Sequence, residues 1–397
     1  MSDNFVIVGA KRTPFGRYLG SLSETEPVDI GVHAARSALN AQGNDLAPHI
    51  DQVFVGNCFP ASFETASVTG RQISLKLGID KFTMTLDTAC CSSLTAVRSA
   101  VGALKMGDCS AALVVGVEAM SRIPHMHRGL RAGVRIGDVN FKDPIYPITY
   151  TGYNSVAVDA SNGAEKYGIP RKMLDAWAVG SHTKWSEANA AGRLLDEISP
   201  IQVKKGKDKF IFSVDESPRP EGTLAAVEQL PTIFGSKTTT AGNAPGLNDG
   251  ASAMVIMTAS RAEALGLRPL GSIIAAAGET DSPEGISWIP ALTIKKALAQ
   301  AGLTVDSLDL VEINEAFAAM PLVSTHILAD GDRNRWFRIL HRTNVNGGAI
   351  ALGHPVGASG LRIAMTMMYE LRRRGGGVGT AAICGGLTQG EAVIIRV

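Results

Sequence analysis

Short runs of β-branched and other apolar residues alternate along this chain with Ala-rich stretches whose apolar positions recur at helical spacing. The runs at 5–8 (Phe-Val-Ile-Val), 53–55 (Val-Phe-Val), 111–117 and 253–257 have strand length and strand composition. Residues 30–39 and 94–104 read as helices between them. A second block of the same kind starts near Pro269, with strands expected at 273–274, 308–313, 380–383 and 393–397 and helices at 291–301 and 360–373. Strands this uniformly apolar belong to sheets covered on both faces, so the pattern predicts an α/β fold.

Residues 121–243 break the rhythm. They are more polar, richer in proline and charge, and poorer in strand signals, with one clear amphipathic helix at 175–188. The expected organisation is a first α/β domain, 1–120, completed by 248–268. An inserted segment of loops and helices, 121–247, follows, and then a second α/β domain, 269–397. Two halves of similar make-up suggest a duplication, although no repeat is visible residue by residue.

The 397 residues are 45% hydrophobic and 19% charged, a globular composition. Thirty-eight Lys and Arg against 37 Asp and Glu argue against nucleic acid as a partner. No apolar stretch reaches the roughly 18 residues of a membrane span. The first residues run directly into a strand and carry neither a signal-peptide nor a transit-peptide pattern, so a cytoplasmic location is expected. Five cysteines, 58, 90, 91, 109 and 384, make an odd number without paired zinc spacing, which fits functional thiols better than a disulfide framework or a metal site.

Cys90 stands between an extended stretch, 82–86, and a helix, within Asp87-Thr88-Ala89-Cys90-Cys91-Ser92-Ser93-Leu94. A thiol facing the free N–H groups of a helix start is expected to have a lowered pKa and act as a nucleophile. The bland alternative is a small buried residue. His354 lies in a glycine-rich run, 346–360, just before a helix, where a neutral imidazole can accept a thiol proton. Cys384 leaves an apolar strand into Gly385-Gly386, either as a second acid/base or as a core cysteine. Asn314 ends the strand at 308–313, either helping an oxyanion hole or capping the next helix.

Taken together, these stretches resemble the thiolase family. The match includes Gly9 to Gly16 (Gly-Ala-Lys-Arg-Thr-Pro-Phe-Gly), Gly116 to Ser121, Thr240 to Asn243, Leu247 to Ala251, Asn314 to Ala318, the His354 run and Cys384-Gly385-Gly386. The resemblance implies two duplicated α/β domains, each with a mixed five-stranded sheet, in a five-layered α-β-α-β-α sandwich. The inserted loop domain would bind coenzyme A. It also implies a homodimer or homotetramer and an acyltransferase that cleaves 3-oxoacyl-CoA or runs the reverse Claisen condensation. Coenzyme A and acyl-CoA would be substrates, with no bound cofactor and no metal. Cys90 matches the acylated nucleophile, His354 its base, Cys384 the acid/base at carbon and Asn314 the enolate-stabilising amide. The N–H groups of Cys90 and Gly386 match a second oxyanion hole. Arg219, Ser155, Val156, Pro245, Gly246 and Phe317 match the substrate and CoA cleft.

The chain also departs from that family. Its nucleophile motif is closer to that of the related ketoacyl synthases. Ser155-Val156-Ala157 aligns where short-chain members carry His-Met-Gly, and Pro245 replaces a serine that touches the pantetheine arm. The link at 329–342 is longer and more basic than usual. These differences lead to the expectation of a substrate bulkier than acetoacetyl-CoA, branched or aromatic. A basic cluster, Arg122, His125, His127, Arg128, Arg131 and Arg135, is either a solvated face or a site for CoA phosphates or another subunit. The competing readings are an acetoacetyl-CoA thiolase, a condensing enzyme of ketoacyl-synthase or hydroxymethylglutaryl-CoA-synthase type, and a non-catalytic acyl-CoA or lipid carrier. A subunit needing a small accessory protein is a further one.

Overall fold

A computed structural model describes residues 4–60, 68–146 and 149–397. The strands are β1 (Phe5–Arg12), β2 (Gly16–Arg17), β3 (Gln52–Gly56), β4 (Phe82–Leu86), β5 (Ala111–Ala119), β6 (Ile201–Lys205), β7 (Asp208–Phe212), β8 (Asn248–Thr258), β9 (Gly271–Thr280), β10 (Leu310–Ile313), β11 (Val378–Gly385) and β12 (Gln389–Arg396). The first half orders them β1-β8-β5-β3-β4, with the first two pairings antiparallel and the last two parallel. The second half runs β9-β12-β11-β10 with the same sequence of directions. The duplication absent from the residue sequence is therefore explicit in the topology.

The second sheet differs from the expected five strands. Its fifth position, equivalent to β4, shrinks to a single parallel bridge between Val311 and Thr343. The turn of Arg342 and Thr343 follows directly on the helix Arg333–His341, which leaves little extended chain to pair. That helix occupies the basic stretch that the sequence presents as a link. The two sheets are also joined at one end, where Phe5, Val6 and Ile7 pair antiparallel with Ile273, Ser272 and Gly271.

Helices Ser92–Met106 and Ser359–Arg373 lie between the sheets, where both faces of the layer are covered. This placement explains why Leu361 to Leu371 is buried at every position, not along one stripe. Helices Pro27–Leu39 and Thr69–Lys76 cover the outside of the first sheet, and Ile289–Ala301 with Ala319–Leu328 the outside of the second. The result is a five-layered α-β-α-β-α sandwich. Strand β9 alternates buried and half-buried positions along most of its length, whereas β5 and β8 are buried almost throughout.

The inserted segment holds helices Val156–Lys166 and Arg171–Ala190, the second extending the predicted 175–188, and the hairpin β6–β7, which the sequence does not announce. A buried ion cluster ties this segment to β1. Arg12, fully buried, donates from Nε to Glu197 (2.8 Å) and from Nη1 and Nη2 to Asp215 (2.7 and 3.1 Å). Asp215 also accepts from the Phe15 N–H and Trp185 Nε1. Replacing Arg12 by Met leaves two buried carboxylates without their cation, and should cost about 3–5 kcal/mol. Denaturant unfolding of Arg12→Met checks this; an unchanged midpoint would contradict it.

Candidate active site

The turn after β4 sets Cys90 in place. Ala89 adopts a left-handed φ of +52°, a conformation costing a non-glycine residue roughly 1–2 kcal/mol. Asp87 Oδ1 accepts the Ala89 N–H at 2.9 Å, and Ser92 Oγ accepts from Thr88 N (3.0 Å) while donating to Ala89 O (2.6 Å). The side chains of 90 and 91 consequently diverge. The Cys91 thiol is fully buried and faces the carbonyls of Ile383 (3.4 Å) and Gln389 (3.7 Å). Cys90 Sγ instead meets His354 Nε2 at 3.3 Å.

His354 follows the short helix Ala349–Leu352 and Gly353, whose φ is +110°. A Cβ on Gly353 would stand 2.5 Å from the Asn248 amide, so only glycine allows this approach. Asn248 accepts the His354 N–H at 2.9 Å and donates to Gly16 O and Ser217 Oγ, linking the histidine loop to β8 and the inserted segment.

The histidine tautomer follows from its neighbours. Ser359 Oγ lies 2.6 Å from His354 Nδ1 and 2.9 Å from Pro355 O. The carbonyl can only accept, so the serine proton goes there and Nδ1–H donates to Ser359. The lone pair of Nε2 is thereby left facing the Cys90 thiol. Burial, reinforced by the charge of Arg362, lowers His354 to about 3. Burial likewise pushes Cys90 up to about 12, overcoming its backbone hydrogen bonding, with Glu118 and Asp87 adding to the rise. The low thiol pKa expected from the helix start is therefore corrected: desolvation outweighs the dipole, and the resting pair is a neutral thiol beside a neutral imidazole.

Asn314 Nδ2 is 3.5 Å from the same His354 Nε2. It does not cap a helix, since the next one begins only at Ala319. Cys384 ends β11 against the Cys90 turn, where a Cβ on Gly385 would meet Thr88 O at 2.6 Å and Cys91 Sγ at 2.8 Å. Burial drives the Cys384 thiol well up, with the nearby Cys90 adding to it.

Two buried carboxylates hold this assembly. Glu118 on β5 accepts from Asn57 Nδ2 and from the N–H groups of Cys58, Phe59 and Gly357. Glu315 accepts from Trp177 Nε1, Ser181 Oγ, Asn344 Nδ2 and the Ile350 N–H. The first joins the two halves, the second joins the inserted helix to the histidine loop.

Cys90, His354, Cys384 and Gly386 share one cavity of about 1010 Å³ with Val156, Arg219, Pro245, Gly246 and Phe317. Exposed Arg17 and Arg219 stand at its rim, while buried His354 and Cys384 form its floor. Ser155 is a correction: it is not in the lining, because it precedes the helix Val156–Lys166 and turns its hydroxyl to Phe234 O (3.3 Å). Of the basic cluster at 122–135, none lines the cavity, and Arg122 is engaged by Glu26. Several contributors, Glu315 and Asn248 among them, escaped the sequence reading. Ser359 and Glu118 lie inside stretches singled out for other residues. Tyr150 lies in a polar loop without a distinguishing pattern, yet a Cβ on Gly386 would run into its hydroxyl.

The Cys90 thiol beside a correctly oriented His354 imidazole, with Cys384 in the same cavity and the buried Asn314 amide behind the imidazole, is an arrangement suited to acyl transfer through cysteine. The profile described as "Thiolase, N-terminal domain" matches residues 5–260, and "Thiolase, C-terminal domain" matches 267–397. The mitochondrial 3-ketoacyl-CoA thiolase of Homo sapiens is 39% identical over 401 residues, covering 98% of this chain and 97% of the relative. The acetyl-CoA acetyltransferase of Allochromatium vinosum is 38% identical over 406 residues, with both chains fully covered. A crystal structure of the human mitochondrial 3-ketoacyl-CoA thiolase in complex with CoA superposes with a TM-score of 0.91 at 35% identity, covering 99% of this chain and 98% of that one. The chain belongs to the thiolase family.

The neutral resting pair has a measurable consequence. Alkylation of Cys90 by iodoacetamide should keep accelerating as pH rises through 9, because the thiolate fraction is still growing toward a pKa near 12. A rate that levels off near pH 7 would show a thiolate–imidazolium pair instead.

Proposed function

We propose that this thiolase cleaves a 3-oxoacyl-CoA with coenzyme A, or runs the reverse condensation, through an acyl group carried on Cys90. The observation that carries the reading is the Cys90 Sγ–His354 Nε2 contact of 3.3 Å on the floor of a cavity shared with Cys384 and Gly386. Cys90 attacks the 3-keto carbon as its proton passes to His354 Nε2. The N–H groups of Cys90 and Gly386 receive the tetrahedral oxyanion. Cleavage of C2–C3 leaves the enolate of the shortened thioester, whose oxygen meets Asn314 Nδ2 and the protonated His354. The Cys384 thiol gives its proton to the enolate carbon, and the proton on His354 restores that thiol. Free coenzyme A then takes the acyl group from Cys90.

The acyl end of the cavity is apolar, with Met120, Ile145, Tyr150, Val156 and Val356 in its lining. Val156 takes the place at which a short-chain site would carry methionine, and the Tyr150 ring offers a flat wall beside Gly386. Both favour a bulkier, branched or aromatic acyl group over acetoacetyl. Arg17 and Arg219 at the rim suit the phosphates of coenzyme A. A second copy of the chain is the expected partner. The edge strand β4 has no outer neighbour among the described residues and exposes Phe82, and the arm at 122–142 exposes Ile136 and Phe141.

Cleavage rates over a panel of 3-oxoacyl-CoAs test the reading. A kcat/KM for branched or aryl substrates about ten-fold or more above that for acetoacetyl-CoA is expected, a difference on the scale that one or two methylenes make in an apolar pocket. Tyr150→Ala should narrow that ratio. A preference for acetoacetyl-CoA would overturn the substrate assignment.

A further inference from the structure

The mechanism above makes no use of a buried cation next to the site, Arg362. Arg362 lies on the helix Ser359–Arg373, one turn after Ser359, and is only 1% exposed between the two sheets. Its ion pair is loose: Nη1 stands 3.8 Å from Glu312 Oε2, and neither atom makes a hydrogen bond among the described residues. Its hydrogen bond to a side chain goes elsewhere, from Nη2 to Asn314 Oδ1 at 3.4 Å.

That contact bears on which way the Asn314 amide points. A carboxamide turned by 180° has the same shape, but exchanges an acceptor for two donors. A guanidinium has no acceptor, so Oδ1 is drawn to it and Nδ2 is left facing Nε2 of His354, which itself lines the cavity. Flipped, the amide would present an oxygen to the developing enolate.

We propose that Arg362 is a positioning residue that fixes the donor face of Asn314 toward the enolate oxygen, so that the carbon–carbon step depends on it while thioester exchange does not. The helix would then serve both groups of the site, Ser359 setting the tautomer of His354 and Arg362 the orientation of Asn314. The charge of Arg362 also helps keep His354 neutral at rest.

The proposal rests on the Cys90 acyl-enzyme reading, and two partial reactions separate them. Exchange of labelled coenzyme A into an acyl-CoA needs Cys90, His354 and the backbone oxyanion hole. Exchange of the acetyl-CoA α-protons with deuterated water needs the enolate. Arg362→Lys keeps a charge but loses the planar fork. It should lower α-proton exchange and overall cleavage on the order of 10²-fold, the scale of one lost oxyanion donor. Coenzyme A exchange should fall far less. In an Asn314→Ala background, Arg362→Lys should add little further loss of α-proton exchange.

A parallel fall of both exchanges in Arg362→Lys, or full additivity with Asn314→Ala, would overturn the positioning role. Should Arg362→Lys not fold, Glu312→Gln, which leaves the cation nearer to Asn314 alone, should retain α-proton exchange, and its selective loss would overturn the proposal. Failure of both exchanges in the wild-type enzyme would instead overturn the acyl-enzyme reading.

Discussion

The contact between Cys90 and His354 joins residues brought in by opposite halves of a duplicated fold, and the buried polar framework converges on keeping it. The thiol comes from the turn after β4, the imidazole from the loop before the equivalent central helix of the second half. Neither side is held by its own half alone. Glu118 reaches from β5 to the Gly357 N–H, and Asn248 reaches from β8 to the His354 N–H. Close approach is part of this arrangement, since a Cβ on Gly116 would stand 2.5 Å from Gly357 O. Burying carboxylates is costly, and it is tolerated here because several N–H donors meet each one.

The same burial decides the electrostatics. A helix N-terminus favours a thiolate, but an enclosed sulfur loses more from desolvation than it gains from the dipole. His354 is driven the other way, toward a neutral ring. A neutral pair stores no separated charge at rest. In the mechanism proposed above, charge appears only as the sulfur attacks, where the backbone N–H groups of Cys90 and Gly386 would receive it. Burial also holds Cys384 as a thiol, the protonation state that the proposed proton delivery to carbon requires.

Much of this was legible in the sequence because its strongest signals were local. The apolar runs at 111–117 and 253–257 and the helical spacing of apolar residues at 94–104 and 360–373 are local, so the existence of these strands and helices follows from pattern alone. The His354 run announced itself through glycine density. What the sequence did not disclose depends on partners far along the chain. The pairing of Arg12 with Asp215 spans 203 positions, and that of Cys90 with His354 spans 264. The thiol pKa was misjudged for the same reason: the dipole is a property of the local motif, whereas desolvation is set by everything packed around it. Tyr150 and the hairpin β6–β7 lie in polar sequence without periodicity, where nothing local marks them.

Mass-spectrometric mapping of the covalent intermediate addresses the central claim most directly. Enzyme mixed with a 3-oxoacyl-CoA in the absence of free coenzyme A, quenched in acid and digested, should carry the acyl group as a thioester on Cys90. An adduct on Cys91 or Cys384 instead, or turnover with no acylated cysteine at all, would contradict the account.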